Sequence, residues 1–396
     1  MEIIMAHTQT FIRYALTGLA SVALATHFNL HANPLDKTTF SFSGYVKADA
    51  MVSQYSDGTL ASGSIGRDFY IPSLTPTGGE KESAQFDAHI KQSRFRFTTN
   101  TLLSNEQTIT GVLEFDFHTT PDGNERISNS YEPRIRHAFL KYNNWLIGQT
   151  WSTFQDVKTL PESVDFIGVT DGTIFARQTM IRYTSGAFEV ALENPETTVT
   201  PFGGSGRIVA DDNSVPDLAA RYTLNQPWGH VAIAGLVRQL AYVDKQDGNN
   251  IDSDEISYGL SITSKINFGE DDLRVMANIG SGLGRYIGLN AVNSAVLNAN
   301  NELESIDVRG FTLAYRHFWA PQWRSTFSYA MLSADNDTDL TGLGVLKQTY
   351  SARANLLYSP APELTFGAEY AYAQKTLESD IDGDMSRLQF SAKYAF

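Results

Sequence analysis

From Phe40 to the end of the chain, hydrophobic residues recur at every second position rather than every third or fourth. In the first run Phe40, Phe42, Gly44, Val46, Ala48, Ala50 and Val52 share one side, and Ser41, Ser43, Tyr45, Lys47, Asp49 and Met51 share the other. Successive side chains of an extended chain point to opposite faces, so this run predicts a strand with one greasy and one wet face. The same pattern sets Ile109, Gly111, Leu113, Phe115 and Phe117 against Thr110, Glu114 and Asp116, and Val231, Ile233, Gly235 and Val237 against His230 and Arg238. It returns at Ile256–Ile262, at Leu273, Val275, Ala277 and Ile279 against Arg274 and Asn278, and at Leu364–Tyr372 against Thr365 and Glu369.

The breaks between these runs alternate in length. Short turns are predicted at Asn143-Asn144, Ser185-Gly186, Gln226-Pro227-Trp228-Gly229, Gly269-Glu270-Asp271, Ala320-Pro321-Gln322 and Pro360-Ala361-Pro362. Long polar loops are predicted at 56–85, 119–132, 152–175, 196–216, 245–254, 287–304, 334–347 and 376–384. Short turns at one end and long loops at the other, around about sixteen strands, fit a closed antiparallel barrel of the outer-membrane type. A barrel of that size leaves an aqueous lumen. The competing all-β reading is a soluble sandwich, which would bury its apolar faces against each other and gives no reason for loops to sort by length.

Composition sharpens this picture. Aromatics are 12% of the chain, with 18 Tyr and 23 Phe against 5 Trp, which suits strands and a bilayer interface. Mean hydropathy is −0.23, and no stretch reaches the roughly 20 apolar residues that a membrane-spanning helix needs. A membrane location therefore requires a closed barrel, in which every backbone polar group is paired. The absence of cysteine excludes disulfides, thiolate metal sites and cysteine nucleophiles. A net charge of −14 with no basic tract argues against nucleic-acid binding.

The front of the chain reads as an export signal over residues 1–32. Arg13 precedes the apolar stretch Tyr14–Ala25, and small-residue cleavage sites follow at Ala23-Leu24-Ala25 and Leu30-His31-Ala32. Cleavage after Ala32 is the expectation, leaving a barrel domain of residues 33–396. The segment carries one acid, Glu2, and one base, Arg13, so the net charge is unchanged by its loss. At the other end Leu388, Phe390, Ala392, Tyr394 and Phe396 share one face, and a final aromatic of this kind resembles the signal read by the barrel-insertion machinery of Gram-negative bacteria.

Charge is sorted along the strands. Arg94, Arg96, Arg182, Arg221, Arg238, Arg274, Arg316, Arg324, Arg353 and Arg387 fall within strands opposite apolar neighbours, as does Lys47. An arginine on the lipid face near the midplane would cost about 2–4 kcal/mol, so these side chains are expected to point into the lumen. There, fixed guanidinium groups raise the local concentration of anions and stay charged at any working pH. Pairing with luminal acids such as Asp49, Glu114, Asp116 and Glu369 is the equally weighted alternative for any one arginine. The loop 152–175 follows the fifth strand and is expected to fold inward, its acids Asp156, Glu162, Asp165 and Asp171 facing basic strand residues across a constriction. A plain solvated loop is the other reading.

Other chemistries do not find their motifs. There is no H-E-x-x-H, P-loop or G-x-S-x-G. Gly280-Ser281-Gly282-Leu283-Gly284 lacks dinucleotide spacing and is read as relief of crowding in a strand. Asp335, Asp337 and Asp339 imitate a calcium loop, but Leu340 stands where that loop requires glycine. His89, His137 and His317 are expected on strand faces without a metal, and no cofactor is expected.

Three segments carry a family resemblance: Arg136-His137-Ala138-Phe139, then Trp145–Phe154 (WLIGQTWSTF), then Arg177-Gln178-Thr179-Met180-Ile181-Arg182-Tyr183. With the stretch from Gly44-Tyr45-Val46-Lys47 to Phe396 around them, the chain resembles the DcaP-like outer-membrane porins. The resemblance implies a homotrimer of barrels of about sixteen strands each, passing small negatively charged solutes such as dicarboxylates. Some members carry a coiled-coil segment before the barrel; here only Asn33–Thr39 separates the signal from the first strand, so that feature is not carried over. The expected function is passive diffusion of small anions through an arginine-lined pore, with outer-membrane lipid, including lipopolysaccharide, and the insertion machinery as partners. A non-selective porin, a phospholipase-like barrel enzyme and a plugged structural or adhesion barrel remain the alternatives.

Overall fold

The computed structural model describes residues 37–118, 131–204, 206–246 and 250–396; the predicted export segment 1–32 and most of the predicted loop 119–132 lie outside them. Sixteen antiparallel strands close into a barrel. They are β1 (Thr38–Tyr55), β2 in two pieces (Gln85–His89 and Arg94–Leu102), β3 (Thr108–Asp116), β4 (Arg134–Tyr142), β5 (Trp145–Trp151), β6 (Arg177–Ser185), β7 (Phe188–Glu193) and β8 (Asp217–Gln226). The circuit continues with β9 (Gly229–Asp244), β10 (Ile251–Phe268), β11 (Asp271–Ser281), β12 (Asp307–Ala320), β13 (Trp323–Asp335), β14 (Leu346–Ala361), β15 (Leu364–Leu377) and β16 (Asp382–Ala395). β1 closes it: Thr38–Tyr45 pairs with β2, and Tyr45–Tyr55 pairs with β16. Among the described residues the barrel itself has no open edge for another chain to extend, which is what a bilayer demands.

Alternation does what the sequence predicts. Phe42, Val46, Ile262 and Phe390 stand exposed on the outer wall, while Lys47, Asp49 and Met51 are buried inside. Because neighbouring strands run in opposite directions, every connection that leaves an odd-numbered strand lies at one end, and most of these are long; the predicted loops 245–254 and 376–384 shrink to 245–250 and 378–381, because the flanking strands extend into them. The predicted short turns occupy the other end, joined by a turn at 103–107 that the pattern did not single out. The wall is uneven in height. β3–β7 span 6–9 residues, whereas β9–β16 span 11–18.

Two long loops turn inward. L1 (56–84) buries Phe69 and Tyr70, the latter against Tyr55, Ala371 and Met385. L3 (152–176) buries Phe154 among Leu236, Leu283, Tyr286, Ile287 and Leu332. At the long-loop end, the short strands Thr197–Thr200, Ile208–Ala210, Ala295–Leu297 and Leu303–Ser305 form a separate four-stranded sheet that packs on Leu240 and Ile251. Three- and four-residue strands carry too little alternation to be read from sequence, and none of them was.

Candidate permeation site in the lumen

L3 is laid along the inner face of the tall wall, tied strand by strand. Gln155 accepts from Arg221 on β8. Asp156 meets His230 on β9 at 2.6 Å and Thr263 on β10 at 2.8 Å. The Leu160 carbonyl accepts from Arg274 on β11. Glu162 is gripped by Arg324 on β13 at 2.7 Å and by Arg316 on β12 at 3.3 Å. Val164 reaches the far side, where its carbonyl accepts from Lys47 on β1 at 2.5 Å and its N–H donates to Glu369 on β15 at 2.9 Å. The loop then returns, and the Gly172 carbonyl accepts from Asn278 at 2.7 Å.

Of the four predicted loop acids, three therefore meet basic side chains. Asp165 lies 3.8 Å from Arg353 and 3.9 Å from Arg387, while its carboxylate also accepts from the backbone of Tyr70, Ile167 and Gly168. Asp171 meets hydroxyls instead: Tyr70 at 2.8 Å, Thr349 at 2.6 Å, and Ser351. Burial pushes the Asp171 carboxyl above its ordinary range, against the hydrogen bonds from Ser351, Thr349 and Tyr70. Tyr70 is itself pushed well up, by burial and then by Asp171. Burial also acts on Glu162, but the guanidiniums of Arg324 and Arg316 overcome it and hold that carboxyl below the usual range. Where L1 and L3 touch, Phe69 and Phe166 enclose His118 at ring distances of 5.5 and 4.6 Å. Burial, then repulsion from the neighbouring His89 and Arg134, pushes this imidazole well below its ordinary pKa.

The opposite, low wall is charged differently. On β2–β6, among the described residues, five guanidiniums, those of Arg94, Arg96, Arg134, Arg136 and Arg177, lie near two carboxylates, Glu114 and Asp116. Arg136 binds both carboxylates, at 2.9 and 2.8 Å, and Arg134 binds Asp116 at 2.8 Å. Arg94 and Arg96 stand 3.6 Å from Glu114, with side chains 23% and 41% exposed. Arg177 makes no ion pair among the described residues and lies on Trp151 instead, 4.6 Å from the ring centroid. Aromatic faces separate the cations: Phe166 lies 5.6 Å from Arg134 and 5.4 Å from Arg136, and Trp151 lies 5.7 Å from Arg136. Such contacts hold a guanidinium in place while leaving its net charge uncancelled.

The predicted arginines thus divide into two groups. Arg238, Arg353 and Arg387 are sealed, no more than 1% of each side chain being exposed, and paired with Asp217, Glu369 and Asp165. Arg182 and Arg221 share Glu189, Arg274 and Arg316 share Asp272, and Lys47 pairs with Asp49. These groups brace the lumen. Arg94 and Arg96 are the most exposed of the predicted arginines, with side chains 23% and 41% exposed against 22% or less for the others.

Arg134, Arg136 and Arg177 escaped the sequence reading for a physical reason. Leu140 and Ile135 both face outward although their spacing is odd, because the pairing of β4 with β3 slips between Glu114 and Phe115. Strict alternation from Leu140 places Arg134 and Arg136 in lipid; the bulge turns them inward. Arg177 stands at the first residue of β6, where no period is yet established. Among the described residues no group of three metal-ligating side chains comes together.

The chain matches the model of a family described as DcaP outer membrane protein over residues 34–396. No curated protein sequence matches it. Its structure is similar to that of the outer membrane channel DcaP of Acinetobacter baumannii, with a TM-score of 0.75 at 22% identity, over 91% of this chain and 98% of that one. It is also similar to the trimer form of OmpT of Vibrio cholerae, with a TM-score of 0.53 at 15% identity over 91% and 100% of the two chains. A third similar structure is the anion-selective porin from Comamonas acidovorans, with a TM-score of 0.55 at 10% identity over 91% and 100%.

Proposed function

This chain belongs to the DcaP outer membrane protein family, and from that premise and the charge layout of its lumen we propose that it is a passive porin with a preference for small anions. The outer membrane is its location and a channel its class. The preference rests on one observation: among the described residues four guanidiniums of the low wall share two carboxylates and a fifth, Arg177, lies on an indole, whereas each luminal arginine of the tall wall meets an acid of L3 or of the strands. A surplus of fixed positive charge in a lumen walled by low-dielectric protein concentrates anions and depletes cations. A dicarboxylate is the favoured solute, because planar forks spaced along one wall grip successive carboxylates bidentately. Nothing in this reading requires bond-making chemistry, a cofactor or a metal.

The expected assembly is a homotrimer. On the low wall Phe42, Phe95, Phe97, Phe115 and Phe396 touch one another as an outward aromatic patch, with centroids 5.0–6.4 Å apart. Such a patch suits burial against neighbouring copies around a threefold axis. Phe396 also exchanges backbone hydrogen bonds with Gly44 at 2.9 and 3.0 Å, so the end of β16 that would meet the insertion machinery also closes the barrel.

Reversal potentials across a planar bilayer under a KCl gradient test the proposal directly. Anion preference is expected, weakened when Arg94 and Arg96 are both replaced by alanine. Cation preference in the unaltered protein would overturn it, and absence of conductance would show a plugged barrel.

A further inference from the structure

Along β12 the outward residues are Asp307, Arg309, Phe311, Leu313, Tyr315, His317 and Trp319. Arg309 is therefore an exposed arginine on the same wall face as Leu313 and Trp319, and it makes no ion pair among the described residues. Its depth follows from the geometry of the strand. Trp319, 60% exposed, belongs to the aromatic girdle at the short-turn end. Ten residues separate it from Arg309, which at about 3.4 Å per residue and a tilt of roughly 40° is a vertical distance of about 26 Å. That is the full height of an outer-membrane apolar band, about 25 Å. Arg309 thus stands at the headgroup level of the outer leaflet, the leaflet on the side of the long loops.

Beside Arg309 the wall is dented. A cavity of about 320 Å³ opens toward the membrane between Tyr258 and Leu260 of β10, Ile279 of β11, and Asp307 and Arg309 of β12. Register places Leu260, Ile279 and Arg309 side by side across three strands. An apolar floor beside a cation that makes no ion pair among the described residues matches a ligand that carries both an acyl chain and an anionic group. Asp307 lies one outward position nearer the exterior, so the anion has to approach Arg309 from the membrane side.

We propose that this dent is a binding site for a phosphorylated glycolipid of the outer leaflet, lipopolysaccharide, with a lipid A phosphate on Arg309 and an acyl chain against Tyr258, Leu260 and Ile279. The inference rests on the outer-membrane location and not on the anion preference of the lumen. Charge-assisted contacts to phosphate are among the stronger hydrogen bonds, and arginine makes them bidentately.

The test is binding of lipid A to the purified barrel in detergent, followed by native mass spectrometry of the lipid adducts. Arg309→Ala is expected to weaken bisphosphorylated lipid A about ten-fold, the scale of one lost charge-assisted contact. Arg309→Lys is expected to retain more of it, and Tyr258→Ala to shorten the residence of the acyl chain. Dephosphorylated lipid A should bind the unaltered protein as weakly as the phosphorylated form binds Arg309→Ala. Equal binding by Arg309→Ala and the unaltered protein would overturn the site. Equal competition by phosphatidylglycerol would overturn the glycolipid assignment. Single-channel conductance of each variant, expected to be unchanged, verifies folding, and its ion preference is read separately from lipid binding.

Discussion

Arg177 lies over the indole of Trp151, its guanidinium carbon 4.6 Å from the ring centroid, and the two residues are also backbone partners where β5 ends and β6 begins. The guanidinium of Arg136 stands 5.7 Å from the same ring, so one indole is shared by two cations. A cation on an aromatic face gains on the order of 0.5–2 kcal/mol without losing its charge. A carboxylate partner would have cancelled that charge. Among the described residues the buried Nη1 atom of Arg177 has no hydrogen-bond partner, which makes this the least compensated arginine of the low wall among them.

Replacing Arg177 with glutamine should therefore lower anion preference more than replacing a braced arginine. One unit charge about 4 Å from a permeating ion in water-like surroundings is worth about 1 kcal/mol, favourable for an anion and unfavourable for a cation, so the ratio of anion to cation permeability changes by up to roughly thirty-fold. Arg221→Gln, which removes a cation held against Glu189 and leaves that carboxylate with Arg182, should change that ratio less. Reversal potentials of the two variants in the same KCl gradient make the comparison, and equal effects would contradict the division into braced and uncompensated arginines.

The grip of Arg324 and Arg316 on Glu162 gives L3 a defined pH response. Burial alone would raise this carboxyl, but the two guanidiniums hold it below the ordinary range. For a carboxylate lowered on folding, the stabilisation is complete above its unfolded pKa and is lost as pH falls through the folded value. The latch should thus be intact at neutral pH and loosen only below about pH 4. Current noise in single-channel records is expected to rise in that window. Glu162→Gln should show the noisy state at every pH, and a quiet, pH-independent Glu162→Gln channel would show that L3 is held elsewhere.

The barrel was legible because its physics is periodic, whereas the site was only half legible because its physics is not. Sixteen strands, their facing and the sorting of loops all follow from a period of two repeated over three hundred residues or so. Arg94 and Arg96 were found because they sit inside an unbroken run beside Phe95 and Phe97. Arg134 and Arg136 were missed because a bulge reverses the parity of β4, and a bulge has no signature in a single sequence. The inward turn of L3 was expected, but that of L1 was not. Nothing in the local sequence of Phe69 and Tyr70 distinguishes an exposed loop from one held by Asp165 and Asp171, about a hundred residues away.

Leu313 tests which face meets lipid. It lies on the tall wall between Arg309 and Trp319, near the middle of the apolar band, and is 38% exposed. Leu313→Arg should destabilise the folded barrel by about 2–4 kcal/mol. Arginine at Gln348, outward near the upper end of β14, should cost less, about 0–1 kcal/mol near the interface. Reversible unfolding in lipid vesicles reads both. A tolerated Leu313→Arg would mean that this face is not in hydrocarbon.

Gly172 is where L3 lies closest to the wall. A methyl group placed on it would come within 2.4 Å of the backbone nitrogen and oxygen of Phe311 and 2.5 Å of the carbonyl of Met331. Those atoms belong to the β12–β13 ladder and cannot retreat, so Gly172→Ala must lift the loop off the wall and into the lumen. Overpacking of this kind costs about 1–3 kcal/mol, and the displaced backbone also strains the Asn278 hydrogen bond at 2.7 Å. Single-channel conductance should fall together with the thermal midpoint. Gly344→Ala, where an added methyl meets nothing within 4 Å, should change neither. A Gly172→Ala protein with a lowered midpoint and full conductance would show that L3 fits tightly against the wall yet does not border the narrowest part of the path.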